Sequence, residues 1–344
     1  MRDSARNRAL ASLQGLALGD ALGMPTQSLS RERIAADYGR IRSLVAAGPH
    51  QQIATGMPAG SITDDTEQAV ILARLIIDGE GIVEPAAFAA ALLAWEHTME
   101  ARGSLDLLGP STRSALKRLQ EGVPPEEAGR FGATNGAAMR IAPVGIAVPV
   151  EPLGAFVDAV VAVSALTHNT GLGIASAAAV GAAVSAGIDG AEAPEALDLA
   201  VAAAREGSRR GYWVAGGDIA ARLEWAIPAV VALAPRDQDD FVAEVVGTSV
   251  AAQESVVAAL ALVAATVAGT DPAHPGPDAA WRTLCHAAEL GGDTDTIAAI
   301  AGAVLGATGA AEWPHAALHT VQRVNALDLE LLVDGLLRVR RHHG

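Results

Sequence analysis

Apolar residues in this chain fall into helical repeats that follow one another from end to end, and runs alternating apolar and polar with period two are essentially missing. Helices bury a stripe with a period near 3.6 and half-buried strands a period of two, so the pattern predicts an all-α protein. The chain is 51% hydrophobic but only 3% aromatic, leaving Ala, Val and Leu as most of the apolar content. Ala and Leu favour helix and pack closely, which points to a compact helical bundle.

The spacing predicts helices over 6–22, 64–78, 85–101, 111–121, 152–167, 171–187, 192–208, 217–232, 238–247, 251–268, 278–290, 294–307 and 328–341. Gly79, Pro85, Pro124-Pro125, Pro152, Pro194, Pro228 and the Pro272–Pro277 stretch punctuate them. That last stretch is the best linker candidate, but a cut there separates two acidic motifs that read as one site. The 344 residues therefore read as a single domain, 1–344.

Those motifs are Thr63-Asp64-Asp65-Thr66-Glu67 and Gly292-Asp293-Thr294-Asp295-Thr296, each opening an apolar helix. Taken singly, each reads as a helix cap, with Asp64 and Glu67 spaced like a capping box. Taken together they offer four carboxylates plus Thr hydroxyls, with no His or Cys. One cap needs one side-chain oxygen, and crowding further carboxylates costs energy unless a cation offsets it. An all-oxygen set suits Mg²⁺ or Mn²⁺, and four negative charges match two such ions.

Net charge and cysteine usage narrow the partners. A formal charge of −15 without a basic face argues against nucleic acid. Cys285 is the only cysteine, which excludes an internal disulfide and suits a reducing cytosol; its apolar neighbours read as core. Asp3 and Gln14 break any signal-peptide core. The longest apolar run, Val256 to Ala268, falls short of the ~20 residues of a membrane span. The expectation is a soluble cytoplasmic protein, monomer or dimer, that avoids membranes.

Other polar segments read as walls of a pocket. Gly15, Gly19 and Gly23 share one helix face and allow another backbone to approach closely. Asp20 lies among them and reads as a metal-water contact or a cap. Gly109-Pro110-Ser111-Thr112 opens a helix and suits either a phosphate or simple capping. Gly132 to Arg140 is a Gly-rich loop running into a helix, and His168 stands between two apolar helices among hydroxyls and an amide.

In this order, Gly19-Asp20-Ala21-Leu22-Gly23, Thr63-Asp64-Asp65-Thr66, Thr134-Asn135-Gly136-Ala137-Ala138-Met139-Arg140, Thr167-His168 and Gly292-Asp293-Thr294-Asp295-Thr296 resemble the ADP-ribosylglycohydrolase family. The resemblance spans nearly the whole chain. It implies a compact orthogonal helical bundle around two Mg²⁺ or Mn²⁺ ions, and cleavage of N- or O-ribosyl bonds in ADP-ribose-like groups or small ribosides. By position it implies Thr63, Asp64, Asp65, Asp293, Asp295 and Thr296 as metal ligands. Ligand contacts are expected from Asp20, Gln27, Ser111, Thr112, Asn135, Gly136, Met139 and His168.

One departure bears on chemistry. Many family members carry a Glu shortly after the Gly-Asp-x-Leu-Gly motif, and here Gln27 stands in its place. Gln can hydrogen-bond a hydroxyl but cannot take a proton, which favours a branch acting on small ribosides; Glu67 and Glu96 are the nearest substitute carboxylates. The expected reaction sets two ions on adjacent ribose hydroxyls and sends water at the anomeric carbon, with Asp65 or Asp295 taking its proton. Two other readings stand beside it. A non-catalytic binder of the same fold fits the Gln, and a terpene-synthase-like Mg²⁺ enzyme fits the Asp-rich motif but not the scarcity of aromatic residues.

Overall fold

The computed structural model describes residues 2–101, 108–269 and 279–343. Among them are eighteen α-helices, one π-helix and no strand; the only bridges are isolated ones, Thr134 with Ala251 and Thr170 with Tyr212. The first half comprises α1 (Arg2–Gly23), α2 (Arg31–Tyr38), α3 (Asp64–Asp78), α4 (Pro85–Ala101), α5 (Pro110–Gln120), α6 (Pro125–Ala128), α7 (Gly136–Met139) and α8 (Ala142–Ala147). There follow α9 (Leu153–His168), α10 (Gly171–Ile188), α11 (Ala193–Gly207), α12 (Ile219–Ala232) and α13 (Pro235–Asp240), which runs into the π-helix Phe241–Val246. The chain ends with α14 (Ala252–Ala268), α15 (Ala279–Ala287), α16 (Thr294–Ala307), α17 (His315–Asn325) and α18 (Leu329–His343).

The long helices form where the apolar pattern puts them, and the short ones are the additions. α7 and α8 are four and six residues long and wholly buried, so they show no exposed stripe. α2 and α17 each bury a single side chain, Ile34 and Val321, so their periodicity is faint. The single helix expected over 238–247 is instead α13 followed by a π turn. Pro228 does not end a helix: it lies inside α12 on an exposed face, where the carbonyl deprived of its donor can hydrate. The Pro272–Pro277 stretch lies outside the described residues.

The core is one connected set of mainly Ala, Val, Leu and Ile side chains. α10, Gly171–Ile188, is the one described helix long and apolar enough to cross a bilayer, yet 89% of it lies buried inside the fold. Cys285 is buried, and burial with the nearby Glu289 pushes its thiol up to about 12, the behaviour of a core residue.

α1 and α16 meet backbone to backbone along a run of glycines. A Cβ on Gly15 would lie 2.1 Å from the carbonyl of Gly302, and one on Gly19 2.1 Å from that of Ala298. On the opposing helix, Gly306 faces Ala11 in the same way, at 2.2 Å. At the end of this seam, a Cβ on Gly23 would fall 2.3 Å from Cα of Asp295. The glycine face read from the sequence thus carries the second acidic motif directly.

Gly19→Ala should therefore push α1 off α16, whereas Gly154→Ala, with open space around it in an exposed first turn, should leave stability unchanged or slightly raised. Overpacking of this kind typically costs about 1–3 kcal/mol and occasionally more. Thermal melts of the two variants check the contrast; equal melting temperatures would contradict the seam.

Candidate active site

Asp20 explains how two distant helix starts come together. It is wholly buried in α1, and its carboxylate accepts from the first turn of α3: from Thr63 N–H at 3.0 Å, Thr63 Oγ1 at 2.8 Å, Thr66 N–H at 3.1 Å and Thr66 Oγ1 at 2.5 Å. An anion there satisfies orphan donors and the positive end of the helix dipole. Burial pushes the Asp20 carboxyl up to about 6 even so, with those hydrogen bonds pulling the other way. Asp20 is thus a tie between α1 and α3 and lies behind the cleft rather than on its wall, unlike the ligand contact expected of it.

α1 now holds α16 through its glycine seam and α3 through Asp20, so the two acidic motifs face each other across one cleft. Asp64, Asp65, Asp293, Asp295 and Thr296 line it, together with Gln27, Ser28, Ile53, Gly109, Pro110, Thr112, Arg113, Thr134, Asn135, Gly136, Met139 and Val250. The space measures about 240 Å³. No aromatic side chain lines it among the described residues, so it lacks walls that could hold a carbocation.

The aspartates are not spent on capping. Thr63, not Asp64, is the N-cap of α3, and Glu67 accepts from Trp95 Nε1 instead of closing a capping box. Asp293 stands at the N-cap of α16 without a side-chain cap bond, its carboxylate accepting from Asn135 Nδ2. A turn through Gly291 and Gly292, both at positive φ (76° and 75°), delivers it. At Gly292 a side chain would strike the carbonyl of Thr248 at 2.4 Å.

Asp65 is the centre of the charge cluster. Its Oδ2 accepts from Thr63 Oγ1 and Thr296 Oγ1, both at 3.3 Å, so hydroxyls of the two motifs meet on one oxygen. Its Oδ1 is buried with no hydrogen-bond partner. Burial first, then repulsion from Asp295, Asp20, Asp64 and Asp293, raises its pKa well above the usual carboxylate range. Burial likewise pushes Asp293 up to about 6, against hydrogen bonds from Asn135 and Thr296.

These residues fit a hard divalent cation. The donors are oxygens only, one is buried without a partner, and the cluster's self-repulsion calls for positive charge. No three His, Cys, Asp or Glu side chains among the described residues form a ready cage. Mg²⁺ does not require one, since it commonly keeps several waters and takes one or two carboxylates.

The rest of the lining supplies donors. Gln27 is buried and its Nε2 has no partner, while its backbone is pinned by Gly23 and Gln51 and followed by Ser28 at a φ of 61°. A non-glycine residue in that region is strained, a feature that clusters at working sites. Thr112 and Arg113 open α5 toward the cleft; Ser111, expected there with Thr112, does not line it. Thr63 also stays off the wall, working through its bonds to Asp20 and Asp65. Glu96, weighed as a substitute carboxylate, pairs with Arg113 at 3.5 Å, and neither it nor Glu67 lines the cleft.

His168 sits one layer back. It is wholly buried, with Nδ1 2.7 Å from Thr167 Oγ1 and Nε2 2.9 Å from Thr134 Oγ1. Arg140 donates to Thr167 Oγ1 at 2.5 Å. The imidazole thus links that hydroxyl to Thr134, which does line the cleft. Burial, and then Arg140, hold the imidazole well below its ordinary pKa, so it stays neutral. The sequence reading flagged the Thr134–Arg140 loop without giving Thr134 or Arg140 a role, and it missed Gln68, because only the fold joins the three.

Comparisons with known proteins agree with this geometry. A protein-family model described as ADP-ribosylglycohydrolase matches residues 1–344. An uncharacterised protein, YegU of Escherichia coli (strain K12), is 34% identical over 336 residues, 97% of each chain. ADP-ribosylarginine hydrolase Tri1 of Pseudomonas putida (strain GB-1) is 31% identical over 212 residues, 59% of this chain and 53% of that one. The ADP-ribosyl-(dinitrogen reductase) glycohydrolase of Rhodospirillum rubrum is 29% identical over 178 residues, 52% of this chain and 57% of that one. A solved ADP-ribosylglycohydrolase-related protein complex shares the fold, with a TM-score of 0.68 at 24% identity over 98% of this chain and 99% of that chain. With a cleft built from both acidic motifs and a family match over its full length, the chain belongs to the ADP-ribosylglycohydrolase family.

Proposed function

We propose that this protein is a divalent-metal-dependent hydrolase that cleaves the ribosyl bond of ADP-ribose-like or small riboside substrates. The observation that carries the reading is Asp65: a buried carboxylate with an unpartnered oxygen, raised by burial and then by four neighbouring aspartates, in a cleft where Asp64, Asp293 and Asp295 join it. The family and two of the relatives named above act on ADP-ribosyl bonds by their descriptions.

Asp64, Asp65, Asp293, Asp295 and Thr296 would hold the ions, with Thr63 steadying Asp65. When bound, two Mg²⁺ or Mn²⁺ ions lower the pKa of water and fix vicinal hydroxyls. The protein's own part is orientation and proton handling. Asn135 and Ser255 hold Asp293 in place: one Asn135 amide donates to both. Asp65 or Asp295 would take the proton from the attacking water. Thr134, Gln27 and the start of α5 offer donors to the rest of the ligand. At about 240 Å³ the cleft holds a sugar, smaller than the ~300–1,000 Å³ of sites that engulf larger ligands, so further groups must extend along the mouth. The small volume and Gln27 favour the small-riboside branch.

Metal should trade against protons in stability. A carboxyl whose pKa is raised on folding binds its proton better folded than unfolded. Lowering pH through about 6, the value for Asp20 and Asp293, therefore stabilises the fold down to the ordinary carboxylate range. In EDTA the melting temperature should rise between pH 7.5 and 5; with Mg²⁺ or Mn²⁺ at pH 7.5 it should rise by several degrees without the pH change. Melts indifferent to both, with no ion bound by calorimetry, would remove the metal site.

Asp64→Asn and Asp293→Asn should each abolish hydrolysis with the helical circular-dichroism signal intact, because neither side chain is the cap its helix depends on. Full activity in either variant would return the motifs to a structural role.

Gln27→Glu adds a titratable carboxyl to the wall. The wild type should hydrolyse small N-ribosides better than ADP-ribosyl-arginine protein, and the variant should raise the latter activity or add a limb to the pH profile. Strong wild-type turnover of ADP-ribosylated protein, lowered by the substitution, would overturn the small-riboside branch.

A further inference from the structure

Arg140 has no part in that chemistry, yet it is the more deeply buried of the two buried arginines, 1% exposed against 9% for Arg340 among the described residues. Taking a guanidinium out of water is costly, and stability alone is seldom the return. The bonds it makes are to neutral groups: Gln68 Oε1 at 2.7 Å and Thr167 Oγ1 at 2.5 Å, with its guanidinium carbon 5.2 Å from the Phe88 ring centre.

What those bonds accomplish is directional. Arginine can only donate, so the oxygen of the Gln68 amide must face it. The Gln68 amide nitrogen is thereby turned to Asp64, and donates to Oδ2 at 2.7 Å. Cation, amide dipole and carboxylate lie in sequence, each oriented favourably toward the next. Asp64, an acceptor only, and Arg140, a donor only, select the same orientation of the amide, so the cation reinforces the donor end that the carboxylate receives. On its other arm, the same guanidinium donates to Thr167, and the hydrogen-bonded chain continues through His168 to Thr134. Both Asp64 and Thr134 line the cleft.

We infer that Gln68 and Arg140 are positioning residues of the divalent-ion site: the pair aims Asp64 into the cleft and gives it a fixed countercharge through the amide. This rests on the reading of Asp64 as a metal ligand. Outer groups of this kind commonly change metal affinity by ~10–100-fold when removed.

Two variants separate positioning from packing. Gln68→Glu keeps a partner for Arg140 but turns an acceptor toward Asp64. The double variant Gln68→Leu/Arg140→Met replaces both members with apolar groups, so that neither is left buried alone. Each is compared with wild type by Mn²⁺ calorimetry and by melting in EDTA. The expected result is a melting temperature in EDTA close to wild type with Mn²⁺ bound ~10-fold or more weakly in both variants. Arg140→Lys, which keeps the charge and one donor, should recover part of the loss. Folded variants that bind Mn²⁺ as tightly as wild type would make the pair structural only and overturn this inference alone. Wild-type protein that binds no Mn²⁺ would overturn the metal reading as well.

Discussion

The contact on which the rest of this molecule depends is the glycine seam between α1 and α16. It brings two backbones so close that no side chain fits between Gly15 and Gly302, or between Gly19 and Ala298. Such an approach fixes both spacing and register, since the surrounding surfaces leave no second way to pack. At the end of the seam Gly23 abuts Asp295, and from its middle Asp20 reaches out to clasp α3. One helix therefore sets the second acidic motif through backbone and the first through a buried carboxylate. The cleft between them is a consequence of those two attachments.

That arrangement is expensive as a structure. Asp20, Asp65 and Asp293 are all raised above the ordinary carboxylate range, chiefly by burial, and Asp65 also by its neighbours. A fold selected for stability alone has no reason to direct five aspartates to one place. Proteins accept such local cost where a ligand repays it. The nearest buried cation, Arg140, is itself held to about 10 by desolvation, with Asp64 opposing that fall. Its charge is far too small to balance the cluster, which leaves the larger share to whatever enters the cleft.

Much of this was legible in the sequence, for physical reasons. A long run of Ala, Val and Leu bounded by Gly, Pro or Asp-Thr signals reads as helix whether or not it keeps a polar face, so α1, α3, α9 to α12, α14 and the fully buried α16 could be read directly. The glycine face of α1 and the paired Asp-Thr motifs carry their chemistry in adjacent residues, and they meet as expected. What failed was information held by no single segment. Fully buried α7 and α8 have no polar face to give a period. Asp20 looks like a ligand group in sequence; only the position of α3 turns it into a tie. Ser111 and Thr112 are neighbours, yet a helix turns successive side chains by ~100°, and only Thr112 faces the cleft. Gln68 on α3, the Thr134–Arg140 loop and the Thr167-His168 pair are three segments whose hydrogen-bond link exists only once they are packed.

The groups that line the cleft also differ in a way that bears on ligand orientation. The starts of α3 and α16 make part of the lining anionic. The remainder offers donors: the unpartnered amide nitrogen of Gln27, Thr134, Thr112, Arg113 and the first turn of α5. On the proposed reading, ribose hydroxyls would meet the metal-bearing wall, and an anionic group on the ligand would be repelled from it toward α5, where a helix N-terminus favours negative charge. Among the described residues Arg113 is the only cation lining the cleft, and it pairs with Glu96 at 3.5 Å. On the proposed reading, a phosphate arriving there would compete with Glu96 for the guanidinium, whereas an uncharged riboside would leave that pair intact. With the Arg113 side chain 56% exposed the pair is a weak competitor, so its state would follow the charge of the ligand and not select it.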